Sequence, residues 1–489
     1  MEKILITTPI YYVNDKPHIG HAYTTLAADI LTRFFRAQKK DVFFLTGTDE
    51  HGTKIAAAAE STGKSPQEIC DENSQSFKLA WEKLGIRYDH FIRTTDKIHE
   101  KTVIDFLNEL KEKNAVYEKE YEGLYCVACE KFLTEKDLVN GLCPDHKTEP
   151  KKISEKNYFF KLNDYLREVE ELIKNGKLSI GPDNAKKEVI GLLKQGLEDF
   201  SISRQKDRVK WGIDLPFDKS QTVYVWVDAL LNYYTGDGGK EFKKYWDEGQ
   251  VIHLLAKDIL KFHAIFWPAL LLATDKKLPT KEFIHGFFTI NGQKISKTLG
   301  NIIDPVEIVN KFGTDATRYI LLSQFPFGQD GDVKEEKFVE KYNSDLANGL
   351  GNLLARILTL VTKYKIQNTN YKVDQDTKKE VEKVKNNYIE DMLNFRLYEA
   401  LEEIWKLISF CDEYIEKNKP WELLKSQKSK VKSQKLETVL ENLLYCISEI
   451  SDLIAPFLPG TSERIKKQIK GSMTSKTGKS EILFPRLTS

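Results

Sequence analysis

The first fifty residues alternate strand, helix and strand, and that alternation limits the fold more than any other feature of the chain. Lys3 to Thr8 is a short apolar run rich in isoleucine and threonine, stopped by Pro9, and reads as a buried strand. A helical stretch follows from about Gly20 to Ala37, with Leu26, Ile30, Leu31 and Phe34 on one face. Val42 to Leu45 is the next strand and runs into Thr46-Gly47-Thr48-Asp49. This order predicts an α/β fold, a Rossmann-like doubly wound parallel sheet.

The chain has 489 residues, too many for one core, so two to four domains are expected. Near residue 116 the character changes. Residues 117–220 carry a cysteine cluster and few long periodic runs, and read as an insertion. Buried strands resume at Val223–Val227 and Val251–Ala256 and close the sheet. Phe283–Ile290 followed by Asn291-Gly292 predicts a strand entering a type I′ hairpin, because Asn-Gly readily takes positive φ. Beyond about residue 330 strand signals vanish. Leu397, Leu401, Ile404, Ile408, Cys411 and Ile415 recur at steps of four and three, so the C-terminal third is expected to be an all-α helical bundle.

Bulk properties exclude a few classes. No apolar run reaches the roughly 18 residues of a membrane span, and the N-terminus shows no signal or transit pattern. Six cysteines in a chain this long do not make a disulfide scaffold, which fits a cytoplasmic protein. The net charge of +1 neither supports nor excludes a nucleic-acid partner, since that needs a local basic surface.

Four motifs carry chemistry. Pro17-His18-Ile19-Gly20-His21 stands at the mouth of the first helix, where free N–H groups and the positive dipole end suit a phosphate. The histidines add donors, and Gly20 permits close approach to the backbone. Lys294-Ile295-Ser296-Lys297-Thr298 follows the hairpin; two lysines three apart can track charge moving onto a leaving pyrophosphate. Cys126-Val127-Ala128-Cys129 and Cys143-Pro144-Asp145-His146 have the spacing of a tetrahedral zinc knuckle, with all four positions filled by protein and therefore structural. Asn352 and Arg356 lie one helical turn apart, and Pro420-Trp421 ends a helix with a candidate exposed indole. Taken singly, each motif has a plainer reading: a packed histidine, a solvated basic loop, a core tryptophan.

In this order, the histidine and lysine motifs resemble those of class I aminoacyl-tRNA synthetases. A finer likeness, over nearly the whole chain, is to the shorter bacterial form of the methionyl family. It rests on Thr7-Thr8-Pro9-Ile10-Tyr11-Tyr12-Val13-Asn14, Thr46 to Gly52, Tyr224 to Ala229, Ala256 to Ile259 and Phe262 to Pro268. Ile295 and Thr298 stand where the family most often has methionine and serine; both changes keep the lysines and a hydroxyl.

The resemblance implies catalytic roles for His18, His21, Lys294 and Lys297, with His18, Gly20, His21 and Lys297 binding ATP and Mg²⁺ accompanying it. It implies that Asp49 binds the methionine ammonium group and that Tyr12, Trp226, Ala229, Leu230, Tyr233, Ile259, His263 and Trp267 line the side-chain pocket. Aromatic rings suit a thioether, whose sulfur they contact favourably by roughly 0.3–1.5 kcal/mol. Cys126, Cys129, Cys143 and His146 would hold one structural Zn²⁺, and Asn352, Arg356 and Trp421 would read the anticodon of tRNA(Met). The implied domains are a catalytic Rossmann-like domain in two halves (1–116 and 221–280), the knuckle-bearing insertion 117–220, a Lys-x-Ser-Lys and stem-contact region 281–345, and an anticodon-binding bundle 346–489. The chain ends soon after the bundle, so a monomer is expected. Leucyl, isoleucyl and valyl relatives need a larger insertion, a small-molecule nucleotidylyltransferase would not need the helical third, and a silent tRNA-binding paralogue is disfavoured by the intact histidines and lysines.

Overall fold

The computed structural model describes the whole chain except residues 127–130, 134, 145–146, 296–300, 365–371, 426–429, 475–480 and 489. Cys129, His146 and the Ser296-Lys297-Thr298 stretch lie outside the described residues. The chain divides into two compact units. One comprises Met1–Pro17, Lys39–Ala80 and Arg87–Ile284; the other comprises His18–Gln38, Trp81–Ile86 and His285–Ser489.

The first unit is built on six strands: β1 Lys3–Tyr12, β2 Asp41–Asp49, β3 His90–Arg93, β4 Ser179–Gly181, β5 Gln250–Ala256 and β6 Lys281–His285. Their order is β3-β2-β1-β5-β6-β4, and β1 pairs in parallel with both β2 and β5. The strand order reverses between β1 and β5, the switch point beyond which doubly wound sheets bind ligands at their carboxyl ends. Strand β1 does not stop at Pro9. Its register shifts between Thr7 and Ile10, so one extra residue bulges out where proline has no N–H to give, and pairing resumes to put Tyr12 opposite Asp49.

Two other expectations need correction here. Val223–Val227 is not a strand of the main sheet: Gln221–Val223 pairs antiparallel with Ser203–Gln205, and Val225–Leu230 is a short helix. A run buried on all sides is apolar in either conformation, so periodicity could not separate the two. The edge strand β4 comes instead from within the stretch read as an insertion. That stretch also supplies most of an antiparallel sheet of Lys131–Leu133, Val116–Cys126, Lys151–Phe160 and Phe200–Ser201.

The second unit contains the helix Ile19–Ala37, a small sheet and the C-terminal helices. The expected run Phe283–Ile290 breaks at Gly286, where a Cβ would come within 2.2 Å of the Gln329 backbone. Phe288–Ile290 then starts a separate sheet with Gln293–Lys294 and Gly331–Val333, a strand past the point where strand signals fade. Asn291 and Gly292 have φ of 52° and 74° and close the two-residue turn as predicted. Leu397, Leu401, Ile404, Ile408, Cys411 and Ile415 all bury on one face of the helix Leu397–Asn418. That helix ends at Lys419, with φ of 42°, and Pro420 opens the next helix, Pro420–Lys425, rather than closing the first. No helix among the described residues is long and apolar enough to cross a membrane.

A buried guanidinium ties this unit together. Arg318 donates to the Asp29 carboxylate (2.6 Å) and to the carbonyls of Phe457 (2.6 Å), Pro456 (3.0 Å) and Leu84 (3.1 Å). Asp29 lies on the helix Ile19–Ala37 and also receives Arg33 at 2.8 Å. Removing one partner of a buried pair leaves an under-compensated charge and three orphaned carbonyls. Arg318→Ala should therefore destabilise the protein by about 3–5 kcal/mol in urea unfolding; a loss under about 1 kcal/mol would mean that the pair behaves as a surface contact does.

Candidate active site

The helix Ile19–Ala37 is capped by its own histidines. His18 is the N-cap in extended conformation, and its Nδ1 accepts from the Gly20 N–H at 3.1 Å. His21 Nδ1 accepts from the His18 N–H at 3.2 Å, and the two rings stack at 3.8 Å. Because each Nδ1 accepts, a neutral ring must carry its proton on Nε2. Burial holds the His18 imidazole down to about 4, and burial together with His18 holds His21 well below its usual value, even though both rings keep some exposed surface. The pair is therefore a set of neutral Nε2–H donors. Gly20 is required for a more local reason than expected: a Cβ there would sit 2.9 Å from the His18 ring.

This arrangement corrects the expectation of free N–H groups at the helix start. Ile19 N–H already donates to the Ile303 carbonyl at 3.1 Å, and Gly20 N–H is taken by His18. The imidazoles have replaced those donors. Further along the same helix, Thr24 Oγ1 bonds His285 Nε2 at 2.7 Å, while His285 Nδ1 donates to the Gly286 carbonyl at 2.8 Å. Lys294 lies on the strand Gln293–Lys294 just past the hairpin.

In the first unit, the carboxyl ends of β1 and β2 present Tyr12 and the buried Asp49. The Lys54 ammonium lies 4.9 Å from the Tyr12 ring centre. Next to Asp49, Glu50 is fully buried and accepts from Thr48 (2.7 Å), Thr95 (2.5 Å) and Arg93 Nε (2.7 Å). Its carbonyl receives the Trp211 indole N–H at 2.6 Å. Every lone pair so used fixes the strand end.

The residues expected to line the side-chain pocket fall on consecutive short elements. Trp226, Ala229 and Leu230 lie on Val225–Leu230, Tyr233 on Asn232–Thr235 and Ile259 on the turn Lys257–Ile259; His263 is on the wide π-helical turn Phe262–Phe266, and Trp267 opens the next helix. Tyr12, Trp226, Leu230, Tyr233, Ile259 and Trp267 share one hydrophobic cluster. Tyr233 O–H donates to His263 Nε2 at 2.9 Å, because His263 Nδ1–H is used on the Ile259 carbonyl at 3.0 Å. Burial keeps the His263 imidazole neutral, lowered to about 4. Trp226 stacks on Phe262 at 4.0 Å, a partner the sequence did not mark as functional.

Two of the four expected zinc ligands are described. Cys126 ends the strand Val116–Cys126, opposite Lys131, and is buried with Cys143 and Leu133 in one small cluster. Two buried cysteines in one cluster are a donor set that suits zinc, but no group of three or more ligand residues occurs among the described residues. In the helical region, Asn352 is exposed and Trp421 is 37% exposed. Arg356 is engaged with Asp412 (2.8 Å) and Glu416 (2.6 Å).

The family described as tRNA synthetases class I (M) matches residues 4–154 and 145–358, and the anticodon-binding domain of tRNA ligases matches 374–485. Methionine–tRNA ligase of Thermotoga maritima is 42% identical over 480 residues, covering 96% of this chain and 75% of its own length. The chain belongs to the methionine–tRNA ligase family. Within this family, the Nostoc enzyme is 42% identical over 95% of the chain and 89% of its own length. The structure of Mycobacterium tuberculosis methionyl-tRNA synthetase in complex with methionyl-adenylate has a TM-score of 0.90 at 34% identity, covering 99% of this chain and all of that one. As a class I ligase of this family, the chain uses ATP and methionine and carries a helical anticodon-binding domain for tRNA(Met).

The buried imidazoles set a pH dependence for folding. His18, His21, His253, His263 and His285 are all harder to protonate in the folded chain than at their ordinary value of 6.5, and burial is the largest cause in each. The unfolded chain thus binds more protons below about pH 6.5, and stability falls as pH drops from there towards about 4. His51 opposes this: burial lowers it, but Asp228 raises it further, so its contribution is full below 6.5 and lost above its folded value. Glu282 opposes it too, because burial pushes its carboxyl up to about 8 and its contribution is lost as pH rises towards that value. The urea midpoint should be lower at pH 5 than at pH 7.5; a higher midpoint at pH 5 would show that His51 and Glu282 together outweigh the five imidazoles.

Proposed function

We propose that the chain joins L-methionine to ATP as methionyl-adenylate, releasing diphosphate, and passes the methionyl group to the terminal adenosine of tRNA(Met) for initiation and elongation. The observation that carries this reading is the cluster of Tyr12, Trp226, Tyr233 and Trp267 with its Tyr233–His263 hydrogen bond, in a chain of this family. A thioether accepts little from hydrogen-bond donors, and Tyr233 and His263 spend theirs on each other and on the Ile259 carbonyl, which supports a reading in which ring faces meet the sulfur.

In the first step the methionine carboxylate attacks the α-phosphate in line. His18 and His21 donate Nε2–H to phosphate oxygens without adding charge, while Lys294 and Lys297 follow charge onto the departing diphosphate. Mg²⁺ enters with ATP as part of the substrate. Asp49 pairs with the methionine ammonium group, and Tyr12, Trp226, Ala229, Leu230, Tyr233, Ile259, His263 and Trp267 enclose the side chain. Positioning and electrostatics carry the step, so no covalent enzyme intermediate is required. In the second step the 2′-hydroxyl of the tRNA end attacks the carbonyl carbon of the adenylate, forming the ester as the acyl–phosphate bond breaks and AMP leaves.

One zinc, held by Cys126, Cys129, Cys143 and His146, would cross-link the hairpin of the insertion 117–220. Region 281–345 contacts the acceptor stem in this reading, and 346–489 reads the anticodon with Asn352, Arg356 and Trp421. Arg356 is held by Asp412 and Glu416, which orient its fork before RNA arrives. The protein acts as a cytoplasmic monomer.

Amino-acid-dependent ATP–pyrophosphate exchange against all twenty amino acids tests the reading directly: methionine alone should support it, and exchange with another amino acid would overturn the pocket. Lys297→Ala should slow adenylate formation by roughly two to three powers of ten with methionine affinity unchanged. Trp421→Ala should leave exchange intact and lower aminoacylation by roughly 5- to 150-fold, the loss of about 1–3 kcal/mol of base stacking. Equal losses in both assays would remove Trp421 from RNA recognition.

A further inference from the structure

Asp228 is almost fully buried, with both carboxylate oxygens bonded to histidines. Oδ2 meets His51 Nδ1 at 2.7 Å and Oδ1 meets His99 Nε2 at 2.8 Å. His51 and His99 are buried as well. His99, from the helix Lys97–Glu112, also bonds Thr235 Oγ1 at 3.1 Å through Nδ1. His51 packs on Trp211 at 5.7 Å, and Gly52 N–H donates to the Trp211 carbonyl at 2.9 Å.

The chain positions of these groups give the cluster its meaning. His51 is two residues past Asp49. Asp228 sits between Trp226 and Ala229, on the same short helix as Leu230. Thr235 is two residues past Tyr233. One carboxylate therefore ties the end of β2 to the segment that supplies four of the pocket residues, and braces both on a third element. Both oxygens are used on histidines, so the geometry points to Asp228 acting through them.

A buried ionised cluster is a poor way to gain stability alone, since well-packed apolar side chains of similar volume often do as well or better. It does fix geometry: charge-assisted bonds are short and directional. The carboxylate is strongly committed to its ionised state, held at about 2. Burial pushes it up, and this is more than offset by His51 and His99.

We propose that Asp228 is a positioning residue for methionine recognition, acting through His51 and His99 to hold Asp49 at a fixed distance from Trp226, Ala229, Leu230 and Tyr233. This rests on the reading that those residues bind methionine. The ammonium group and the thioether end of one substrate must be met at once, so a slack link between their binding residues costs methionine affinity and leaves ATP affinity untouched.

The test is the KM of both substrates in pyrophosphate exchange for Asp228→Asn, His51→Ala and His51→Asn. Asp228→Asn and His51→Ala should raise the methionine KM by about tenfold or more, in the range seen when supporting hydrogen bonds of a site are cut, with the ATP KM unchanged. His51→Asn, whose amide N–H can stand in for Nδ1–H, should recover most of the loss. The His51 pair keeps the Asp228–His99 bond, so it reports even where Asp228→Asn fails to fold. Parallel shifts in both KM values, no shift in either, or no recovery by asparagine would overturn the proposal. A wild-type chain that does not exchange with methionine would instead overturn the functional reading on which it rests.

Discussion

The Arg318–Asp29 pair is the constraint on which the second unit turns. A guanidinium carried into a protein interior must find acceptors for its donors, and here four residues from three separate stretches of chain supply them: Asp29, Leu84, and the adjacent Pro456 and Phe457. The helix Ile19–Ala37 is thereby anchored in its middle by charge, and near its start Thr24 holds His285. With the helix so fixed, the two capping imidazoles at its N-terminus have little freedom left. Their ring stacking and Nδ1 bonds settle the rest.

The two units solve the electrostatics of binding in opposite ways. In the second, burial keeps His18 and His21 neutral, so that in the proposed reaction they would act as directional donors and leave positive charge to the lysines. In the first, charge is used as mortar. Glu50 gathers Thr48, Thr95 and Arg93, and Asp228 gathers His51 and His99. The carboxylates of Glu50 and Asp228 are buried with partners for both oxygens, which is the condition for burying such a charge at all.

Much of this was legible in the sequence, and the failures have physical causes. The strand–helix–strand start, the Asn291-Gly292 turn and the face of the helix Leu397–Asn418 could be read because local geometry writes its own period and turn chemistry into the chain. The run Val223–Val227 misled because full burial erases periodicity, and Pro9 misled because a bulge lets a strand continue past it. The pocket residues were placed by likeness to a family, since nothing in a lone tryptophan distinguishes a binding wall from a core. The clamp at Asp228 escaped notice because His51 and Asp228 lie 177 residues apart, and no spacing rule predicts which histidine meets which carboxylate. The occupied N–H groups at Ile19 and Gly20 were equally hidden, as they depend on ring orientation.

The wide turn Phe262–Phe266 has an evolutionary side. A π-helical turn holds one residue more than the α-helix it interrupts, and that extra residue rotates the preceding stretch of helix by about 100° relative to the stretch after it. His263 meets Tyr233, and Phe262 meets Trp226, in that rotated phase. A single-codon deletion within the turn would restore a regular helix and swing both side chains off the pocket wall in one event. The contacts around Tyr233 and Trp226 are thus exposed to insertion and deletion as well as to substitution, through the length of one turn.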